Sequence, residues 1–184
     1  MVPRLSEKYK NEIVPAMMQA FNLKNKHAVP RIKKIVVNMG VGEAILDIKN
    51  LDKSAEELGL ITGQKPVIRR AKKAISNFKI RENLPIGCKV TLRSAMMYEF
   101  MDRLLNVALP RIRDFRGVSA DAFDQQGNYS LGLNEQGIFP ELEIDRIGRP
   151  QGMDITFCIS GSKSKEQSRE LLKLFGMPFK TKEQ

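Results

Sequence analysis

Apolar residues recur along this chain with two spacings, one near four and one of two. Leu5, Tyr9, Ile13, Met17 and Phe21 recur every fourth residue and predict an amphipathic helix over about residues 4–22. Pro15 lies inside it; a proline there removes a backbone donor and crowds the preceding turn, so a kink or restart is expected. The spacing then falls to two. In residues 31–39, RIKKIVVNM, Ile35, Val37 and Met39 share one face of a strand while Lys34, Val36 and Asn38 share the other. A turn at residues 40–42 leads to a short helix marked by Leu51, Ala55 and Leu58, closing near Gly63 in a left-handed conformation. Residues 66–71 read as a second strand and residues 86–93 as a third, joined by a long loop. In the third, Ile86, Cys88, Val90 and Leu92 point one way, and Gly87, Lys89, Thr91 and Arg93 the other.

Met97, Met101, Leu104, Leu105 and Ala108 mark a further helix, stopped by Pro110. Residues 111–126 are polar and weakly periodic. Tyr129, Leu131 and Leu133 alternate as a strand, and Met153, Ile155, Phe157 and Ile159 as the last one. The loop between them carries Glu135, Glu141, Glu143 and Asp145. Ser164 with Gln167 has the spacing of a capping box; Leu171, Leu172 and Phe175 face inward from the helix it opens, and Gly176 and Pro178 end it. The order αβαββαββα implies an α+β fold. The expectation is one domain over residues 1–184: a mostly antiparallel β-sheet, helices packed on one face, and a long basic β-β loop. Extended loops fall at about 72–85 and 111–150, and the second sheet face is left free.

Charge gives that free face a meaning. Between Lys65 and Arg93 lie nine cations and one anion, Glu82, so this stretch holds +8 of the chain's +10. Such a concentration suits a polyanion, with lysine and arginine neutralising phosphates. The outward row shows Lys34 and Asn38 from one strand and Lys89, Thr91 and Arg93 from another. Cations supply salt-dependent affinity, while Asn and Thr can address sugar hydroxyls and base edges. The same row also fits an ordinary solvated face. In the loop, Lys72, Lys73, Lys79 and Arg81 surround Phe78, with Ser76 and Asn77 beside it. Two readings fit Phe78: an exposed stacking platform for a base or ribose, or a ring folded back to anchor the loop.

Other chemistry is thin. No apolar run approaches the length needed to span a membrane. MVPRLSEKYK lacks the apolar core of a secretory signal, so the cytoplasm is the expected compartment. Cys88 and Cys158 read as two small buried thiols. His27 has no second ligand nearby, and no cysteine pair has zinc spacing. GVGEA at 40–44 and GSKS at 161–164 are incomplete as nucleotide loops and read as turn glycines. Glu141, Glu143 and Asp145 alternate as a solvated edge or a partner patch. No enzyme, cofactor or metal is expected.

Longer motifs carry a resemblance. IVVNMGVGEA at 35–44, GQKPVIRRAKKAISNFKIRENLPIGCKVTLR from Gly63 and PRIRDFRG at 110–117 stand with GNYSLGLNEQ and DRIGRPQGMDIT. Together they closely resemble the bacterial-type 5S-rRNA-binding ribosomal proteins, number five of the large-subunit series, over essentially the whole chain. The resemblance implies a structural constituent that helps attach 5S rRNA to the central protuberance, beside large-subunit rRNA and neighbouring 5S-binding ribosomal proteins. It places 5S rRNA contacts at Asn38, Gln64 and Thr91, with Lys34 and Arg93 as neighbours; Gln64 comes from the resemblance alone. It directs the loop at 72–83, with Lys72, Lys73, Ser76, Asn77, Phe78, Lys79 and Arg81, toward transfer RNA in the peptidyl site. It also implies contact with a small-subunit head protein, placed loosely on residues 111–117 and 134–146. A free-standing RNA-binding module and an RNA-processing enzyme are the competing readings. The first lacks an RNP-type aromatic motif and the second lacks an acid/base or metal set.

Overall fold

The computed structural model describes residues 2–143 and 148–180. The first helix starts as α1 (Arg4–Lys8), passes through a π-helical turn (Tyr9–Ile13) and ends as α2 (Val14–Ala20). Then follow β1 (Arg31–Gly40), α3 (Ile48–Thr62), β2 (Val67–Arg70) and β3 (Pro85–Leu92). After α4 (Ser94–Arg103) come a second π turn (Leu104–Ala108) and a 3-10 turn (Leu109–Arg111). The order closes with β4 (Tyr129–Leu133), β5 (Met153–Ser160) and α5 (Lys165–Phe175). The strands form one antiparallel sheet in the order β2-β3-β1-β5-β4, which bears out the α+β expectation.

The α-helical pattern breaks just before Pro15, into the π-helical turn, and resumes at Val14 with Pro15 in the first turn of α2. In an α-helix the Pro15 ring would press on the carbonyl of Asn11, four residues back. The wider π turn, in which the Val14 N–H donates to the Tyr9 carbonyl five residues back, takes up that crowding. The same turn accounts for the spacing of four. An α-helix advances about 100° per residue, so positions four apart drift by about 40° at each step. A π turn rotates less per residue and returns the stripe, leaving Leu5, Ile13 and Met17 buried and Tyr9 half-buried. Pro110 repeats the device. A π turn again ends two residues before it, with Leu109 N–H donating to the Leu104 carbonyl, and the chain continues in a 3-10 turn to Arg111 instead of stopping at the proline.

The described residues group into two compact units. One comprises residues up to Ile35, Leu92–Leu131 and the chain from Thr156; the other Val36–Thr91 and Gly132–Ile155. In the first, α1 packs on α4, and α5 packs on the first π turn and α2. Tyr9 stacks on Phe175 with ring centroids 6.0 Å apart and donates its hydroxyl to the Pro30 carbonyl. Arg4 pairs with Asp102 at 2.6 Å. The polar segment after α4 forms no helix or long strand, yet it is pinned. Val118 bridges to Phe179 and Phe123 to Tyr129, and the Tyr129 hydroxyl donates to the Ser119 carbonyl at 2.8 Å. The Phe123, Phe157 and Phe179 rings all surround Tyr129.

In the second unit, Asp47 caps α3 by accepting from the Lys49 N–H, and Gly63 closes it at φ 68°. Leu51, Leu58 and Ile61 are buried with Val37, Met39, Val41, Cys88 and Val90. Here a glycine is required for space. A Cβ on Gly87 would lie 2.6 Å from the Met39 carbonyl oxygen on the neighbouring strand. At the other end of the chain, Ser164 accepts from the Gln167 N–H as a capping box should. The Gln167 side chain, however, reaches back to the Lys163 N–H, one residue earlier than the motif predicts.

One thiol departs from expectation. Cys88 is buried, but Cys158 is only partly so, because Phe157 and Ile159 take the inward places on β5 and turn Cys158 outward. Gly87→Ala is expected to destabilise the protein by about 1–3 kcal/mol through forced separation of β1 and β3. Urea unfolding measures it, and a wild-type midpoint would show that the strands give way without strain.

Candidate nucleic-acid interface

Alternation in β1 and β3 builds the candidate face. On β1, Ile35, Val37 and Met39 are buried while Lys34, Val36 and Asn38 are half-exposed. On β3, Cys88, Val90 and Leu92 are buried while Lys89 and Thr91 are half-exposed. The Val41 N–H donates to the Ile86 carbonyl at 3.0 Å, and Gly87 faces Gly40. An unbroken antiparallel ladder from that point places Lys89 opposite Asn38 and Thr91 opposite Val36. Asn38, Lys89 and Thr91 therefore share one outward surface of the second unit. Among the described residues, their side chains make no hydrogen bond or ion pair.

Gln64 also belongs to the second unit, in the exposed turn directly after Gly63. Only its backbone is engaged, through the Thr62 hydroxyl, so its amide is free to bond outward. Lys34 and Arg93 belong to the first unit. Lys34 is half-exposed on β1, and Arg93 is exposed at the N-cap of α4.

The loop between β2 and β3 is a two-stage hairpin. At its base, the Ala71 N–H donates to the Leu84 carbonyl and the Asn83 N–H to the Ala71 carbonyl, while an Arg70 guanidinium N–H reaches the Asn83 carbonyl at 3.0 Å. At its tip, Ile75 and Ile80 exchange backbone bonds of 2.9 and 3.1 Å around a 3-10 turn, Ser76–Phe78. Lys79 completes the turn in the left-handed region at φ 54°, and its N–H returns to the Ser76 carbonyl. The Phe78 ring is not folded back: it is 67% exposed. Lys72, Lys73, Ser76, Asn77, Lys79 and Arg81 are all exposed, and none of the four cations has an ion-pair partner among the described residues.

A polar cluster in the second unit gave no signal in the periodicity. Gln136 is buried, and its amide nitrogen donates to a Glu57 carboxylate oxygen and to the Arg149 carbonyl. Its amide oxygen accepts from the Gln151 N–H. Gln151 in turn donates to the Gly40 carbonyl at the end of β1, and Arg149 pairs with Glu43. Both ends of the loop from Asn134 to Gly152 are thereby tied to α3 and β1. Burial raises the Glu57 carboxyl above its ordinary value, against the lowering effect of the Gln136 bond. Glu141 is half-buried and Glu143 exposed, and Asp145 of the alternating carboxylates lies outside the described residues. In the other segment placed loosely by resemblance, Arg111, Arg113, Asp114 and Arg116 are exposed.

His27 is exposed in a 3-10 turn, its N–H held by the Asn25 side chain. Among the described residues, no three metal-ligating side chains converge, and no helix is long and apolar enough to cross a membrane.

Residues 25–81 match the family model described as Ribosomal protein L5, and residues 85–179 match that of the ribosomal L5P family C-terminus. The chain belongs to the ribosomal protein L5 family. It is 57% identical over 179 residues to the large ribosomal subunit protein uL5 of Clostridium tetani (strain Massachusetts / E88), covering 97% of this chain and 99% of that one. Against uL5 of Clostridium acetobutylicum the identity is 58% with the same coverage. Against uL5 of Alkaliphilus oremlandii (strain OhILAs) it is 58% over 176 residues, 96% of this chain and 98% of the relative. The L5 family is one of structural ribosomal constituents and is not enzymatic.

The two thiols of this L5-family chain are expected to separate chemically. Burial, and secondarily the charge of Glu57, pushes the Cys88 thiol up to about 11, so it remains protonated and shielded at neutral pH. Labelling the native protein with a thiol-reactive disulfide near pH 8 should modify Cys158 rapidly and Cys88 only on unfolding. Equal rates would show that β3 opens readily.

Proposed function

We propose that this large-subunit constituent binds 5S rRNA through the outward surface carrying Asn38, Lys89 and Thr91, and that Gln64, Lys34 and Arg93 also contact it. The observation that carries the reading is a polar row held at half-exposure by an apolar row one residue away, with its donors and acceptors unused internally. Half-exposed donors and acceptors without internal partners bond to water in the free protein, so such a row suits a surface where another molecule takes the water's place. In this reading the protein helps attach 5S rRNA to the central protuberance, near large-subunit rRNA and the neighbouring 5S-binding proteins. It works in the cytoplasm, as part of the ribosome.

The hairpin carrying Lys72, Lys73, Ser76, Asn77, Phe78, Lys79 and Arg81 contacts transfer RNA in the peptidyl site. Its cations stand out from the fold without internal counter-ions, which suits a phosphate backbone that comes and goes. The segments 111–117 and 134–146 face a protein of the small-subunit head. Gln136, near the start of the second of these, is tied to Arg149 and Gln151, which lie beyond it in the chain.

Asn38→Ala or Thr91→Ala is expected to weaken 5S rRNA binding by about 1–3 kcal/mol through lost directed bonds. A titration of purified protein against 5S rRNA measures this, and unchanged affinity in both variants removes the sheet surface from the site. Neutralising Lys72 and Lys73 together should leave 5S rRNA affinity nearly unchanged and weaken protection of peptidyl-site transfer RNA in footprints of assembled particles. A collapse of 5S rRNA affinity would show that hairpin and sheet act as one surface.

A further inference from the structure

We infer that Phe78 is a base-stacking residue, its ring stacking on an unpaired base in the RNA that the hairpin meets. This rests on the assignment of the hairpin to transfer RNA. An aromatic ring left 67% exposed at a hairpin tip sacrifices the burial that Phe side chains ordinarily gain. The tip gives the ring a fixed place. Two backbone bonds between Ile75 and Ile80 close the turn, and Lys79 holds a left-handed conformation that non-glycine residues rarely adopt. The backbone that carries the ring is therefore defined before binding. Ile75, itself 45% exposed, adds an aliphatic flank, and Lys72, Lys73, Lys79 and Arg81 surround the tip as exposed cations.

That arrangement favours RNA over a protein pocket. A hydrophobic protein cleft would accept the apolar tip but would have to desolvate the surrounding unpaired cations. A nucleic acid offers both halves of the match: a π face for the ring, and phosphates about one nucleotide away for the cations. The contact is tolerant of base identity, since every base has a π face, and it is independent of salt.

The chain contains no tryptophan, so Phe78→Trp creates a lone fluorescent reporter at the tip. Four proteins are titrated against deacylated transfer RNA and against a fully paired RNA duplex at several salt concentrations: the full chain, and its Phe78→Ala, Phe78→Leu and Phe78→Trp variants. Because the ring is exposed, all should share the wild-type melting temperature and circular dichroism. Phe78→Ala and Phe78→Leu are expected to bind transfer RNA roughly tenfold more weakly with an unchanged salt slope, and the duplex as before. Phe78→Trp should bind at least as well as the full chain, with its emission quenched on binding. Wild-type binding by Phe78→Leu would mean that an aliphatic contact suffices and overturns stacking, as would an unaltered Phe78→Ala or equal losses on the duplex. Lys72→Ala/Lys73→Ala is run beside them. If it weakens binding while the Phe78 variants do not, the hairpin keeps its partner and only stacking falls. If neither weakens binding, the hairpin's assignment to transfer RNA falls as well.

Discussion

Burial of every second residue on β1 and β3 is the constraint on which the remaining features depend. Ile35, Val37 and Met39, with Cys88, Val90 and Leu92, hold the two strands in register. Slipping either strand by one residue would carry Asn38, Lys89 or Thr91 inside and expose the apolar row. Burying a lysine or an unbonded amide there would cost several kcal/mol, so the register is strongly specified by order of magnitude alone. The same constraint makes Gly87 a glycine. It leaves room for the Met39 carbonyl and so keeps β3 close enough to β1 for both outward rows to share a surface.

The hairpin obeys a different logic. β2 is the edge of the sheet, all four of its residues are exposed, and its pairing with β3 is irregular between Arg69 and Arg70. Little apolar burial holds the extension beyond it. Its order comes from backbone bonds, at Ala71 with Asn83 and Leu84 and at Ile75 with Ile80. Such bonds stabilise by roughly 1 kcal/mol each in water, enough to define a turn but not a rigid arm. A reaching element with a well-formed tip on a weakly buried stem is suited to following a ligand that moves.

Much of this was legible in the sequence, because period two and period four are direct readouts of which side of an element is buried. The nine-element order, the closure of α3 at Gly63 and the outward placement of Asn38, Lys89 and Thr91 all follow from them. The π turns did not, although a spacing of four is itself too long for a pure α-helix and each turn precedes a proline. Cys158 departs from its expected burial because position outweighs residue type: Phe157 and Ile159 take the inward places on either side of it. The Gln136 cluster left no trace in periodicity: its partners are a carboxylate, two carbonyls and an N–H brought together from separate segments. Phe78 could not be placed by pattern, since an anchoring ring and a presented one have the same sequence.

The cations divide into those paired within the fold and those left without a partner among the described residues. Arg4 is held by Asp102, Arg149 by Glu43 and Lys173 by Glu170. The cations from Lys65 to Arg93 have no such partners among the described residues, although the chain carries 21 acidic residues that could have supplied them. Internal pairing there would compete with phosphate for the same cations and add the cost of breaking each pair on binding. Left bare and exposed in the free protein, they are screened in part by water and counter-ions. The free protein thus carries a charge excess without internal counter-ions, as the proposed binding of a polyanion would require.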